Sequence, residues 1–306
     1  MKRQLAMRML KKDVDRVRTN PWLYKLGSQF LIDKNFPVHL YLELSFACNY
    51  ECITCPRKET QRKDFMNVNL AKDIIYEASK YGPTSFSLHI FGEPLMNPDW
   101  LTVVNYIKKV NKKNVVLLTT NGSLMDKECS KQLIESGVDR IYVSVHSLVP
   151  GIYYKYTNGK SLDVVLGNVW QYKMLGGKNL SLRLFSQDNL EKIRSMNIPY
   201  TIKKYHNFAG FRPDYTQLKP QKRYPCWHPW FTLAINTEGN VSVCCADLVP
   251  GLCLGNARIT TLKRMWGDIK DIRHSLKENK IPSWYPCAKC DVWQYRDNIF
   301  FGGQYK

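Results

Sequence analysis

The chain has 306 residues, 44% hydrophobic and 23% charged, with a formal net charge of +19. This suits a globular protein with one large domain and a smaller one, and excludes a disordered or fibrous chain. No apolar run reaches the roughly 20 residues of a membrane-spanning helix, and no signal-peptide pattern follows the basic N-terminus.

Residues 1–20 read as a basic amphipathic helix: Leu5, Met9, Val14 and Val17 recur at near-helical spacing among Lys2, Arg3, Arg8, Lys11, Lys12, Arg16 and Arg18. Packing on the protein body is favoured over a membrane surface. Pro21 breaks the pattern, and a second helix is expected over 22–32, making 1–37 an N-terminal extension. From 38 to 205 strand and helix patterns alternate. Strands are predicted at 38–45, 84–90, 114–119, 140–146, 180–185 and 199–203, and helices at 69–80, 98–110, 126–136, 161–175 and 188–195. In the first helix Leu70, Ile74, Ile75 and Ala78 share a face, Asn69 is the expected N-cap and Gly82-Pro83 the stop. Repeated βα units imply a parallel α/β sheet with right-handed crossovers. Six units are too few for a closed eight-stranded barrel, so the expectation is a partial (β/α)6 TIM-like barrel over 38–220.

Past 220 the pattern changes. FTLAINTEGNVSVCC reads as a hairpin turning at Thr237, Glu238, Gly239 and Asn240. A helix is predicted over 260–274, capped by Thr260 or Thr261, and WYPCAKCDVW as a loop. Residues 221–306 thus form a small hairpin/helix domain.

The ten cysteines, with no export signal, argue for metal binding in a reducing, cytoplasmic setting. Cys48-x3-Cys52-x2-Cys55 follows the first strand. Three thiolates can hold three irons of a [4Fe–4S] cube and leave the fourth open, whereas structural zinc sites use four protein ligands. A second set, Cys226, Cys244, Cys287 and Cys290, combines the hairpin with a CxxC pair and can close four ligands around zinc or a cluster. Cys129 and Cys253 read as core residues.

CNYECITC at 48–55, FGEP at 91–94, TTNG at 119–122 and VSVHS at 143–147 together resemble the radical S-adenosylmethionine (SAM) superfamily, over about residues 38–205. The resemblance implies that Cys48, Cys52 and Cys55 hold a [4Fe–4S] cluster whose fourth iron is chelated by the SAM amino and carboxylate groups. One-electron cleavage would then release a 5′-deoxyadenosyl radical that abstracts hydrogen from a substrate. It further implies cofactor contacts at Gly92, Glu93, Pro94, Asn121 and Ser144, with Arg183 a candidate carboxylate partner. His146 stands where many relatives carry Asp. The spacing around Gly239, LGN at 254–256 and the terminal CxxC resemble the twitch form of the SPASM extension, implying one auxiliary [4Fe–4S] cluster on Cys226, Cys244, Cys287 and Cys290. A flavodoxin- or ferredoxin-type electron donor is the implied partner.

Three functions are compatible with these features. The favoured one is hydrogen abstraction from a polar small molecule, such as a sugar, nucleotide sugar or aminocyclitol. Loss of an electron to the auxiliary cluster gives a ketone. Return of hydrogen from a thiol, with Cys245 the candidate, gives an epimer, and Cys245 tips the expectation toward epimerisation. Peptide modification is the second reading, weakened because only 37 residues precede the barrel. A zinc-binding nucleic-acid module explains the charge but not an open three-cysteine site on a βα framework. The charge favours an anionic substrate. Trp227, Trp230, Tyr285 and Trp293 are expected to shield the second cluster.

Overall fold

The computed structural model describes residues 35–291 apart from 61, 186–187, 189, 204, 216–225, 227, 248–252 and 284. The predicted helices at 1–20 and 22–32, Trp227, Trp293 and the boundary near 220 lie outside the described residues.

Six strands run parallel in sequence order: β1 (His39–Leu42), β2 (Ser85–Ser87), β3 (Val115–Thr120), β4 (Arg140–Val145), β5 (Leu180–Leu184) and β6 (Tyr200–Ile202). Between them lie α1 (Val68–Ser79), α2 (Trp100–Val110), α3 (Lys127–Glu135), α4 (Pro150–Tyr156), α5 (Leu162–Met174) and α6 (Leu190–Met196). After α7 (His228–Phe231), β7 (Thr232–Ile235) pairs parallel with β1, from His39↔Thr232 to Leu42↔Ile235. Two antiparallel strands, β8 (Asn240–Ser242) and β9 (Cys253–Asn256), complete the sheet. The nine described strands run β6-β5-β4-β3-β2-β1-β7-β8-β9 and do not close, so the fold is a partial TIM-like barrel. The cysteine-rich C-terminal part is therefore built onto the β1 edge of the same sheet. Among the described residues it continues with α8 (Leu262–Asp268), α9 (Lys270–Glu278) and the one-turn α10 (Pro286–Lys289).

Strand parity sorts the two faces. Leu40, Leu42, Phe86, Leu88, Val116, Leu118, Ile141, Val143, Leu182 and Leu184 belong to the main core beneath the helices. The alternate residues face the lumen. Val38, Val115 and Leu117 form a small apolar layer there, and above it the lumen turns polar. His39 Nδ1 meets Ser85 Oγ at 3.0 Å, and the Tyr41 ring meets His89 edge-on at 6.1 Å. Apolar residues on both sides make parallel strands read as continuous runs. The polar lumen residues at the strand ends break that rule where the site lies.

Several expectations need correction. Asn67, not Asn69, caps α1: its side chain accepts from the backbone N–H groups of Asn69 and Leu70. The predicted 260–274 helix is two helices that meet at Ile269, with Thr261 as the cap whose hydroxyl accepts from Arg264 N–H. α4 and β9 escaped prediction because GIYYKY has no helical period and CLGN no alternation. The terminal loop contains α10. Cys253 is exposed rather than in the core, Cys129 is half-buried against the core, and Trp230 is buried.

Asn97 fastens the loop after β2 to the cysteine-bearing segment. Its Nδ2 donates to Leu44 O at 2.6 Å and Met66 O at 3.2 Å, and its Oδ1 accepts from Asp99 N–H at 2.8 Å. Asn97→Ala leaves buried backbone groups unsatisfied and is expected to cost about 2–3 kcal/mol. A lowered thermal midpoint of the anaerobic protein checks this; an unchanged midpoint refutes it.

Candidate active site

The cysteine loop leaves β1 and crosses the mouth of the lumen. Cys48, Cys52 and Cys55 line one cavity of about 300 Å³ together with Arg57, His89, Gly92, Glu93, Thr119, Asn121, Ser144, His146 and Arg183. Cys55 N–H donates to Cys52 O at 3.0 Å, and Tyr50 N–H points at Cys48 Sγ at 3.4 Å. Burial, with the nearby Glu93 charge, pushes the Cys48 thiol up to about 11. Burial and the neighbouring Cys55 and Cys48 push Cys52 up to about 12. Three partly buried thiols in one loop ionise together only against a compensating cation, and thiolates are the ligands an iron–sulfur cube takes. Arg57, buried beside them and donating to Tyr50 O at 2.8 Å, carries an Nε with no partner among the described residues. A guanidinium aimed at this loop suits the negative charge of a thiolate-ligated cluster. The three cysteines bring the donor type a cluster takes to one cavity, although among the described residues no three such side chains are gathered as a ready metal site.

The motif loops pack on the cysteine loop by backbone contact. A Cβ on Gly92 would lie 2.1 Å from Ser45 O and 2.7 Å from Ala47 O, so only glycine fits. Glu93 N–H donates to Ala47 O at 2.9 Å. Its carboxylate is buried, accepting from Asn121 N–H at 2.7 Å and Leu95 N–H at 3.1 Å. Burial raises it to about 7 against the pull of those bonds. Pro94 starts a one-turn helix, Pro94–Met96, and does not line the cavity. Asn121 Nδ2 donates to Asn49 Oδ1 at 2.8 Å and approaches Cys48 Sγ at 3.9 Å. Glu93 and Asn121 thus hold the loops around the cysteines as well as facing the cavity.

Ser144 on β4 lies in register with Arg183 on β5. The Arg183 guanidinium lies 3.8 Å over the Tyr142 ring and donates to Thr119 Oγ1 at 3.1 Å. His146 is stacked among Tyr156, Phe185 and Tyr205, with Nδ1 2.8 Å from Tyr205 Oη. Burial lowers it to about 4, so the ring is neutral at pH 7. The sequence reading missed Arg57, His89, Tyr205, His206 and Phe208. His89 ends a predicted strand, the same placement that singled out Asn121. Nothing local marks the others.

Of the second cysteine set, Cys226 and Cys290 lie near Cys244, together with Cys245. The Cys244 pKa is raised by a hydrogen bond with Cys245, then by burial and by the proximity of Cys245, Cys226 and Cys290. Cys287 lies within the one-turn α10 and Cys290 is its C-cap, with Cys290 N–H 3.3 Å from Cys287 O. Cys245 therefore stands with this set and is not among the residues lining the first cavity. None of the ten cysteines is in a disulfide. The segment 205–210 separates the two sets. Tyr205, His206 and Phe208 line the first cavity. Ala209 packs with Cys290, Ala246 and Cys244, and Asn207 donates to Lys289 O at 2.7 Å.

The family model of the radical SAM superfamily matches residues 42–196, and a SPASM model, an iron-sulfur cluster-binding domain, matches 226–291. A probable GTP 3′,8-cyclase of Thermococcus kodakarensis is 35% identical over 134 residues, covering 43% of this chain and 42% of that protein. A GTP 3′,8-cyclase of Lactiplantibacillus plantarum is 30% identical over 207 residues, 63% and 61% of the two chains. The chain spans about half the length of most curated relatives it matches. Among solved structures, BtrN in complex with AdoMet and 2-DOIA aligns with a TM-score of 0.62 at 17% identity, covering 87% of this chain and 98% of BtrN. Streptococcus suis SuiB bound to precursor peptide SuiA aligns at 0.64 and 16%, covering 90% and 74%. With three cysteines at the mouth of a partial barrel, a second set on the sheet extension and both domain models matched in order, the chain belongs to the radical SAM superfamily and carries a SPASM-type cluster-binding domain.

Proposed function

We propose that this enzyme abstracts hydrogen from a polar small molecule in the barrel lumen and that the product is an oxidised one. In this reading Cys48, Cys52 and Cys55 hold the SAM-binding cluster, and Cys226, Cys244, Cys287 and Cys290 the auxiliary cluster. When bound, the first cluster and SAM supply a 5′-deoxyadenosyl radical. Gly92, Glu93, Asn121 and Ser144 orient SAM, and the stack of His146, Tyr156, Phe185 and Tyr205 walls the cavity from water. The auxiliary cluster held by Cys226, Cys244, Cys287 and Cys290 would supply a one-electron acceptor, so that a substrate alcohol giving up a hydrogen atom, an electron and its hydroxyl proton would become a carbonyl.

The observation that carries the oxidative outcome is the segment 205–210, one side lining the cavity and the other touching the second cysteine set. The expectation of epimerisation rested on Cys245, which stands beside Cys244 rather than in the cavity lining. BtrN, whose structure holds AdoMet and 2-DOIA, gives a small-molecule precedent on this fold, and SuiB with SuiA a peptide one. The size of the cavity, about 300 Å³, favours the first. Placement in the reducing cytoplasm and electron delivery by a flavodoxin or ferredoxin belong to the same reading.

Anaerobically reconstituted protein with SAM and strong reductant is expected to release 5′-deoxyadenosine; none released refutes the reading. Cys245→Ala is expected to leave both 5′-deoxyadenosine and ketone formation in place. Loss of product with SAM cleavage intact would instead make Cys245 the hydrogen donor and the reaction an epimerisation.

A further inference from the structure

Arg57 is only 8% exposed, and it lines the cavity beside Cys48, Cys52 and Cys55. It sits in the one-turn helix Pro56–Glu59 that follows Cys55, where the N–H and the hydroxyl of Thr60 both hold Arg57 O at 3.0 Å. From that fixed backbone the side chain folds back over the cysteine loop. Its Nη2 donates to Tyr50 O, between Cys48 and Cys52, at 2.8 Å. Its Nε is buried with no partner among the described residues, and no ion pair among them involves Arg57.

Arg212 also reaches this loop, donating to Ile53 O at 2.6 Å, but Asp214 neutralises it through bonds of 2.6 and 2.9 Å. Glu93, the carboxylate of the cavity, is held by two backbone N–H groups. Among the described residues, Arg57 is therefore the cation at the sulfurs whose charge is not offset. Burial pushes the three thiols up, and the Arg57 charge opposes it at each of them. A buried guanidinium without a counter-charge is costly unless an anion joins it. A cluster on three thiolates is such an anion, and taking an electron deepens its negative charge. Its potential follows the net charge, hydrogen bonding and burial around the sulfurs, and a fixed cation shielded from water favours the reduced form.

We propose that Arg57 sets the reduction potential of the cluster held by Cys48, Cys52 and Cys55, its uncompensated charge making that cluster easier to reduce. This rests on the reading that those three cysteines hold a cluster. Arg57 acts on the sulfurs and not on the substrate. The step it governs is the arrival of one electron from a reductant in solution. No proton moves, and no bond forms or breaks.

The test is potentiometry of the anaerobically reconstituted full chain, followed by electron paramagnetic resonance, with titanium(III) citrate as reductant and neither SAM nor substrate present. The signal missing from Cys48→Ser marks the first cluster. Arg57→Gln is expected to shift its equilibrium toward the oxidised form by at least about tenfold, a midpoint about 59 mV lower for one electron. Arg57→Lys keeps the charge and should stay close to the wild-type midpoint. Circular dichroism and iron analysis check the fold and the loading of each variant. If Arg57→Gln takes up no iron, Arg57→Lys decides: a midpoint close to wild type supports the proposal, and a tenfold shift overturns it. A midpoint unmoved by Arg57→Gln, whatever its iron content, overturns the proposal and leaves Arg57 as a brace for Tyr50 O. An equal shift in the Gln and Lys variants overturns it too, because charge would then not be the cause. The measurement needs no turnover. A wild-type protein with no cube signal strikes the functional reading itself, whereas a signal indifferent to Arg57→Gln strikes this proposal alone.

Discussion

Replacing Cys48, Cys52 or Cys55 with serine is expected to lower the iron content from about eight to about four per chain and to reduce 5′-deoxyadenosine formation to background. The three cysteines are partly buried in one loop, burial raises each thiol's pKa, and they share a cavity with the loops of Gly92 and Asn121. A serine hydroxyl stays protonated there and is a poor iron ligand, and no fourth cysteine lines this cavity to take its place. Cys244→Ser should remove the other irons while 5′-deoxyadenosine still forms, because Cys244 neighbours Cys226, Cys245 and Cys290 and lies outside the first cavity. Iron and sulfide analysis with product chromatography reads both outcomes. Full iron content in a Cys48, Cys52 or Cys55 variant would refute the ligand assignment.

Gly92→Ala is expected to destabilise the protein by about 3 kcal/mol or more and to impair cluster incorporation. The new methyl would meet Ser45 O at 2.1 Å and Ala47 O at 2.7 Å. Both are backbone atoms, so no side chain can swing away. Relief requires moving either the loop that carries Glu93 or the segment that leads into Cys48. Glu93 N–H is bonded to Ala47 O at 2.9 Å, so the two would shift together and displace the first sulfur. Gly151→Ala is the control: its Cβ meets nothing within 4 Å, and stability and iron content should both hold. Thermal melting and iron analysis of the two variants side by side decide the matter. A Gly92→Ala protein with wild-type stability and iron would refute the packing argument.

Much of the barrel was legible because parallel strands buried on both faces read as dense apolar runs between helices of 3.6-residue period. The segments at 114–119, 140–146 and 180–185 correspond to β3, β4 and β5 within a residue or two. Short or irregular elements were not legible. α4 begins at Pro150-Gly151 and is too brief to show a period, and β9 takes Gly255 at φ +139. Cys253 read as core because its type usually is, yet it sits exposed on that added strand.

The chain's order of residues alone determined the chemistry: the cysteine spacing and the GEP and TNG turns are local, and local spacing encodes ligand geometry and loop shape. Which groups share the lumen was decided only by the tertiary structure. Arg183 lies on β5 and His89 two residues past β2, and the folded sheet brings both to one cavity. Cys245 was drawn away from that cavity for the same reason. β7 joins β1 rather than β6, so the second cysteine set grows from the opposite edge of the sheet, and adjacency in sequence has no bearing on adjacency across it.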